Sequence, residues 1–167
     1  MSVTEHRAAA PASVRCFVLT VSDTRTLDTD ASGRSIEDML TAAGHSIAAR
    51  VVVPDEPAAV IAAIREQLDR ADVRAIITTG GTGVSARDNT FEAVTTLFEK
   101  RIDGFGELFR MLSFEEVGAA AMLSRACAGI VQGRVIFVLP GSEAAVRLAM
   151  LQLILPEIGH IARELTK

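Results

Sequence analysis

The residues best equipped for chemistry lie in the run Thr78-Thr79-Gly80-Gly81-Thr82-Gly83-Val84-Ser85-Ala86-Arg87-Asp88-Asn89. Without a Cβ, Gly80, Gly81 and Gly83 can take positive φ and let backbone N–H groups converge on an anion. Thr79, Thr82 and Ser85 add hydroxyl donors, and the Arg87 guanidinium can neutralise phosphate charge. Taken alone, such a loop can equally be a tight turn between a strand and a helix. The Arg87-Asp88 pair shifts the balance, because a carboxylate beside a phosphate loop is costly unless it binds a donor, a proton or Mg²⁺; the pair points to a magnesium nucleotide. Two familiar nucleotide loops are excluded. No Lys-Ser or Lys-Thr follows the last glycine as a P-loop requires, and the dinucleotide fingerprint, with its acidic residue about 20 positions on, is not met.

Other polar clusters stand where strands should end. Ser22-Asp23-Thr24-Arg25 runs on through Asp28, Thr29 and Asp30 to Ser32-Gly33, while Asp55-Glu56 follows Pro54, and Pro140-Gly141-Ser142 follows a long apolar run. Asp55, just before Pro57, reads by itself as an acidic residue at a helix start that stabilises the dipole.

The elements that must position these residues are legible as apolar runs. Cys16 to Val21, Ile47 to Val53 and Ile76 to Thr79 read as strands of a parallel sheet covered on both faces. Between them, Ile36, Met39, Leu40 and Ala43 form one helix face, with Ser32 as its cap and Gly44 in the left-handed closing position. Val60, Ile61, Ile64 and Leu68 form a second helix behind Pro57. Asn89, three residues before Glu92, predicts a capped helix carrying Phe91, Val94, Thr95, Leu97 and Phe98. Ala126–Val131 and Arg134–Leu139 predict two strands joined by a Gln132-Gly133 turn, hence a mixed sheet. Ser142 then caps a long helix that Pro156 starts afresh or kinks. Alternating strands and helices predict an α/β protein with ligands at the carboxyl ends of the strands.

Composition bounds the rest. A chain of 167 residues with 49% hydrophobic residues and neither Trp nor Tyr fits one aliphatic α/β domain, here residues 14–167 behind a loose tail at 1–13. The net charge of −4 and scattered cations give no footprint for nucleic acid. Cys16 and Cys127 sit in apolar runs without a partner motif and read as reduced core residues, and His6, His45 and His160 show no metal-ligand spacing. The apolar stretch from Ala144 to Leu155 contains Arg147 and Gln152 and falls short of the ~18 residues a membrane span needs. A cytosolic protein without membrane contact is expected.

With these segments in place, the chain resembles the molybdenum cofactor biosynthesis family that includes molybdopterin adenylyltransferase and protein B (MogA and MoaB types). The resemblance rests on Thr20-Val21-Ser22-Asp23, Ser32-Gly33, Val53-Pro54-Asp55-Glu56, Thr78 to Gly83 with Arg87-Asp88, Met122-Leu123-Ser124-Arg125 and Pro140-Gly141-Ser142. The stretch from Gly104 to Glu116 is most similar to the protein B branch. The resemblance implies a three-layer Rossmann-like fold, mostly parallel with one antiparallel strand, and Mg·ATP-dependent adenylylation of molybdopterin. It makes Asp55 and Asp88 the catalytic and Mg²⁺-binding pair. Gly80, Gly81, Thr82, Gly83 and Arg87 become the nucleotide-binding residues. Ser22, Asp23, Ser32, Gly33, Ser124, Gly141 and Ser142 line the pterin side. A homotrimer or hexamer is implied as well, with Phe105, Phe109 and Phe114 as candidate contacts. A non-catalytic pterin-binding or scaffold protein is the competing expectation. Phe91 stands where the family often has Pro, and Glu143 stands where the adenylyltransferase branch often has Pro after Pro-Gly-x; Glu143 adds a carboxylate near the place expected for a pterin phosphate.

Overall fold

The structure, a computed structural model, describes residues 11–167. Most of the expected tail at 1–13, and His6 within it, lies outside the described residues. Six strands form one sheet: β1 (Arg15–Val21), β2 (Ser46–Val53), β3 (Ala75–Thr79), β4 (Lys100–Arg101), β5 (Cys127–Val131) and β6 (Arg134–Leu139), in spatial order β2-β1-β3-β6-β5-β4. The pairings β1·β2, β1·β3 and β3·β6 are parallel, whereas β5 runs antiparallel to both β4 and β6. One strand therefore opposes all the others. The helices are α1 (Ala31–Ala42), α2 (Pro57–Leu68), α3 (Thr90–Thr95), α4 (Asp103–Val117), α5 (Glu143–Ala149) and α6 (Leu155–Glu164).

The strand alternation explains the layers. On β1, Cys16 and Val18 point into a core built with α1, α4, α5 and α6, while Phe17 and Leu19 point into a second core with α2 and α3. Both faces are thus covered, which is why the parallel strands are nearly all apolar. Gln132 (φ 48) and Gly133 (φ 70) make the two-residue turn between β5 and β6, the left-handed pair that matches strand twist. Gly44 closes α1 at φ 88 as expected. Cys16 and Cys127 are buried and unbridged, and burial pushes their thiols up to about 12 and about 11.

Some local expectations fail for identifiable reasons. Asp30, not Ser32, caps α1: its Oδ1 accepts from the Gly33 N–H at 2.8 Å, which frees the Ser32 hydroxyl inside the first turn. Asp30 is buried, and its Oδ2 also accepts from Thr20 Oγ1 (2.8 Å) and Arg50 Nη1 (3.0 Å). Asn89 precedes α3 but makes no side-chain cap; its amide donates instead to the carbonyls of Ala86 and Arg87. The helix it starts ends at Thr95, so Leu97 and Phe98 lie beyond it. Phe105 and Phe109 are core residues, Phe105 packing against Phe137 at 5.2 Å between centroids, and are not available as subunit contacts. Pro156 sits in a helical path continuous from Glu143 to Glu164, loosened to a π turn at Met150–Ile154. At 22 residues this path is long and apolar enough, by length and composition, to cross a membrane, contrary to the sequence expectation. Its inward residues Val146, Ala149, Met150, Ile154 and Ile158 are fully buried against the sheet, the role of a core-covering helix.

Candidate functional site at the switch point of the sheet

After β1 the chain leaves through α1 to β2 on one side, and β3 pairs on the other side, so the sheet's topological switch lies between β1 and β3. Loops leaving such strands diverge and open a crevice at their carboxyl ends. Four loops meet there: residues 22–30 after β1, 54–56 after β2, 80–89 after β3 and 140–142 after β6.

Gly80 and Gly81 hold φ of 97° and 66°, a region that L side chains seldom adopt. A Cβ on Gly80 would strike the Val21 carbonyl, and one on Gly81 would strike Thr90 Oγ1 and come within 2.9 Å of Asp55 Oδ1. Gly83 has no positive φ; it is needed because a Cβ there would lie 2.6 Å from Asp88 Oδ2. The expected array of free amides is smaller than the glycine count suggests. The Gly80 N–H donates to Leu139 O at 3.1 Å, and the nearby Gly83 N–H favours the ionised Asp88 carboxylate. Among the described residues the amides of Gly81 and Thr82 remain unbonded.

Two clefts flank this loop. One of about 490 Å³ is lined by Gly80 to Gly83, Asp88, Ser124 and Pro140 to Ser142, with an apolar wall from Val117 and Leu123. The other, about 140 Å³, is lined by Ser22, Arg25, Ser32, Thr79 and again Gly80 and Gly141. Gly80 and Gly141 form the partition, so close that a Cβ on Gly141 would sit 3.3 Å from Gly80 Cα. Ser32 Oγ donates to Gly141 O (2.8 Å) and Thr79 Oγ1 to Pro140 O (2.9 Å), fixing the partition from the side of the smaller cleft. Gly33 faces Asp30 and Thr20 rather than a cleft, where a Cβ would collide with both. Ser142 spends its hydroxyl on capping α5 through the Ala145 N–H, and exposed Glu143 follows it outside the residues that line either cleft.

The acidic residues gather at one end of the crevice. Asp23 Oδ1 accepts from the Asp55 N–H at 3.0 Å, and its Oδ2 accepts from Arg87 Nη2 at 2.6 Å, so one carboxylate ties the loops after β1, β2 and β3 together. That ion pair is open to water, Arg87 being 78% exposed, and an exposed pair is worth only ~0–1 kcal/mol. Arg87 can therefore exchange Asp23 for a phosphate at little cost. Asp88 is held below the usual carboxylate range by the Ser85 hydroxyl, whose Oγ lies 2.5 Å from Oδ2, and by the Ser85 and Gly83 amides. Asp55 is pushed the other way, first by burial and then by the negative charges of Asp88 and Asp23, with the Asn89 N–H offsetting part of the rise. Asp55 thus feels the charge of Asp88. They differ in access: Asp88 lines the larger cleft, whereas Asp55 lies behind Gly81. Among the described residues no three His, Cys, Asp or Glu side chains form a metal cage.

Sequence reasoning gave no role to Arg125, yet it makes more contacts to the glycine loop than any residue singled out for it. Its Nε donates to Thr82 O (3.0 Å), its Nη2 to Gly83 O (2.6 Å) and Asp88 O (3.0 Å), and its Nη1 pairs with the Glu92 carboxylate. The hairpin was the available signal. Because β5 runs against its neighbours, its beginning, not its end, lies on the ligand edge.

A doubly covered sheet with a glycine loop, paired aspartates and two adjoining clefts at its switch point defines an α/β protein built to hold a phosphorylated ligand. The chain matches the family described as "Probable molybdopterin binding domain" over residues 17–160, and it belongs to that family. It is 50% identical to molybdenum cofactor biosynthesis protein B of Halalkalibacterium halodurans, the match covering 100% of this chain and 99% of that protein. A crystal structure of molybdenum cofactor biosynthesis protein B superposes with a TM-score of 0.91 at 49% identity, covering 94% of this chain and 98% of the other. The tungsten cofactor synthesizing protein MoaB from Pyrococcus furiosus gives a TM-score of 0.84 at 37% identity, covering 95% and 100%.

Proposed function

We infer that the chain acts in molybdenum cofactor biosynthesis by adenylylating molybdopterin at the expense of ATP. The observation that carries this reading is the placement of Asp55 and Asp88 on either side of the glycine loop, close enough to raise the Asp55 pKa, beside two clefts that share one glycine partition. A terminal phosphate oxygen of molybdopterin would attack the α-phosphorus of ATP. The bond from that phosphorus to the bridging oxygen breaks, and its electron pair leaves with pyrophosphate. In such transfers the protein mainly positions groups and neutralises charge. The free Gly81 and Thr82 amides and Arg87 suit the nucleotide phosphates, and the Ser22, Ser32 and Gly141 side of the partition suits the second substrate.

Mg²⁺ suits the donor set, since Asp55 carries a charge that its own surroundings oppose, and Mg²⁺ is commonly held by one or two carboxylates together with substrate phosphates. Asp55 and Asp88 would hold it, and it would supply charge neutralisation for the triphosphate. One observation favours a second reading, a molybdopterin-binding protein without catalysis: the Asp88 carboxylate is already occupied by the amide and hydroxyl of Ser85. Pyrophosphate release decides between them. Release that needs ATP, Mg²⁺ and molybdopterin together is the expected result; molybdopterin binding with no release from folded protein would leave the binding reading standing.

We also infer that the chain assembles with copies of itself into a trimer or hexamer. Support comes from one face of α4 and the 3-10 turn after it, where Leu108, Met111, Phe114, Val117, Met122 and Leu123 are all exposed.

A further inference from the structure

The two clefts differ in charge. The larger is lined by the carboxylates of Asp88 and Glu116 and by no cation, whereas the smaller is lined by Arg25, the one Lys, Arg or His side chain in the wall of either. The acidic residue of the smaller cleft, Asp30, is already paired with Arg50 at 3.0 Å and accepts from Thr20 and Gly33. Arg25 is not paired in this way. Its Nη1 donates to Thr29 O at 3.3 Å, and among the described residues no carboxylate meets its guanidinium.

The hydroxyls around Arg25 are nearly all spent. Thr20, Ser32 and Thr79 donate their protons to Asp30 Oδ2, Gly141 O and Pro140 O. Ser22 differs: its Oγ accepts the Arg25 N–H at 3.1 Å and the Thr24 N–H at 3.2 Å, leaving its own proton only a 3.5 Å contact with Thr24 Oγ1. The side-chain donors left to a ligand are therefore the Arg25 guanidinium and the Ser22 hydroxyl, a set that suits an anion. At about 140 Å³ the cleft has the volume of about four or five waters, near that of one tetrahedral oxyanion. Ser22 and Arg25 also line a third cavity of about 460 Å³ against Val51, Val52 and Val53 of β2, which leaves room for the body that carries the anion.

We propose that the smaller cleft is a subsite for a phosphate monoester, held by Arg25 and Ser22, and that the phosphate is the second substrate's. Such a group carries close to two negative charges at neutral pH and offers three acceptor oxygens to these donors. The nucleotide phosphates have donors of their own in the Gly81 and Thr82 amides and Arg87. Which substrate brings the phosphate rests on the adenylyl-transfer reading; the subsite itself does not.

Inorganic phosphate is titrated into the ligand-free full chain while NMR follows the amides of Ser22, Ser32 and Gly141, with Ile77 within β3 as the control. Saturable shifts at the three cleft amides are expected in the wild type. Arg25→Gln should weaken phosphate about 10-fold or more, and Arg25→Lys, which keeps the charge and loses the fork, should fall between, keeping the test available if Arg25→Gln does not fold. Calorimetry then identifies the source: Arg25→Gln should weaken molybdopterin by about the same 10-fold and leave Mg·ATP unchanged. Phosphate that moves none of the cleft amides in the wild type, or binds folded Arg25→Gln equally well, overturns the subsite. Weakened Mg·ATP with unchanged molybdopterin overturns its assignment to the second substrate. A wild type that binds both ligands but releases no pyrophosphate overturns the adenylyl-transfer reading and leaves the phosphate subsite standing.

Discussion

Asp55 and Asp88 carry the same carboxylate in opposite electrostatic settings, and the difference can be measured. For Asp88 the folded pKa lies below the ordinary value, so its Ser85 and Gly83 contacts add stability above the ordinary carboxylate range, and that stability is lost as pH falls through the folded pKa. For Asp55 the folded pKa lies above the ordinary value. Between the two values the folded protein binds more protons than the unfolded chain, and stability declines as pH rises through that window. At neutral pH, Asp55→Asn is therefore expected to raise Tm and Asp88→Asn to lower it, each difference shrinking below the ordinary carboxylate range. Thermal melts across a pH series check this, and a lower Tm for Asp55→Asn at neutral pH would mean that Asp55 is stabilised by its surroundings instead. Both variants should lose adenylyl transfer by about 10²-fold, the scale of losing one electrostatic stabiliser. If the pair works as a unit, the double variant should lose much less than the product of the single effects.

Among the elements, the first βα turn depends on a buried ion pair that no sequence motif announces. Asp30, with its side chain 1% exposed, caps α1, accepts from Thr20 on β1 and pairs with Arg50 on β2, so one carboxylate joins two strands to the helix that carries Ser32. Removing Asp30 takes the cap from α1 and leaves the Arg50 guanidinium with the Glu37 carboxylate as its one ion-pair partner. Asp30→Ala is expected to destabilise by about 3–5 kcal/mol in urea unfolding, and adding Arg50→Leu should recover part of it; equal losses in the single and double variants would count against the pairing. The glycine loop yields a second prediction. Gly81→Val forces an unfavourable φ and drives a side chain into Thr90 Oγ1 and Asp55, so calorimetry should find ATP binding lost, with some loosening of α3 as well. The sequence carried the strands, the loop and the Gln132-Gly133 turn because apolar periodicity and glycine placement are local signals. Helix caps were harder to read: Asp30, Ser32 and Asn89 are all competent caps, and tertiary partners such as Arg50 and Gly141 decided which one acted. Arg125 was hidden for a related reason, since its acceptors are backbone carbonyls from about 40 residues earlier in the chain.

At the scale of the whole molecule, the exposed apolar face of α4 and its following turn is where self-assembly should be tested. Phe114 is 60% exposed and Met122 79%, a cost that a second copy could relieve. Light scattering at micromolar concentration should find a trimer or hexamer for the wild type, and Met111→Glu with Phe114→Glu should give a folded monomer. A monomeric wild type would remove the assembly proposal. Because β5 runs against the rest of the sheet, both ends of the β5–β6 hairpin lie on the ligand edge: Ser124 and Arg125 enter it, and Pro140, Gly141 and Ser142 leave it. One short, continuous stretch of chain thus supplies two walls of the site, whereas the glycine loop and Asp55 come from more distant parts of the sequence. Hairpins close on the order of 1–10 μs, while pairings between remote segments are slower. During refolding, pulse-labelled exchange should therefore protect the β5–β6 ladder before the Gly80 amide that joins Leu139. The site would be finished last along the seam between β3 and β6, where the glycine partition closes.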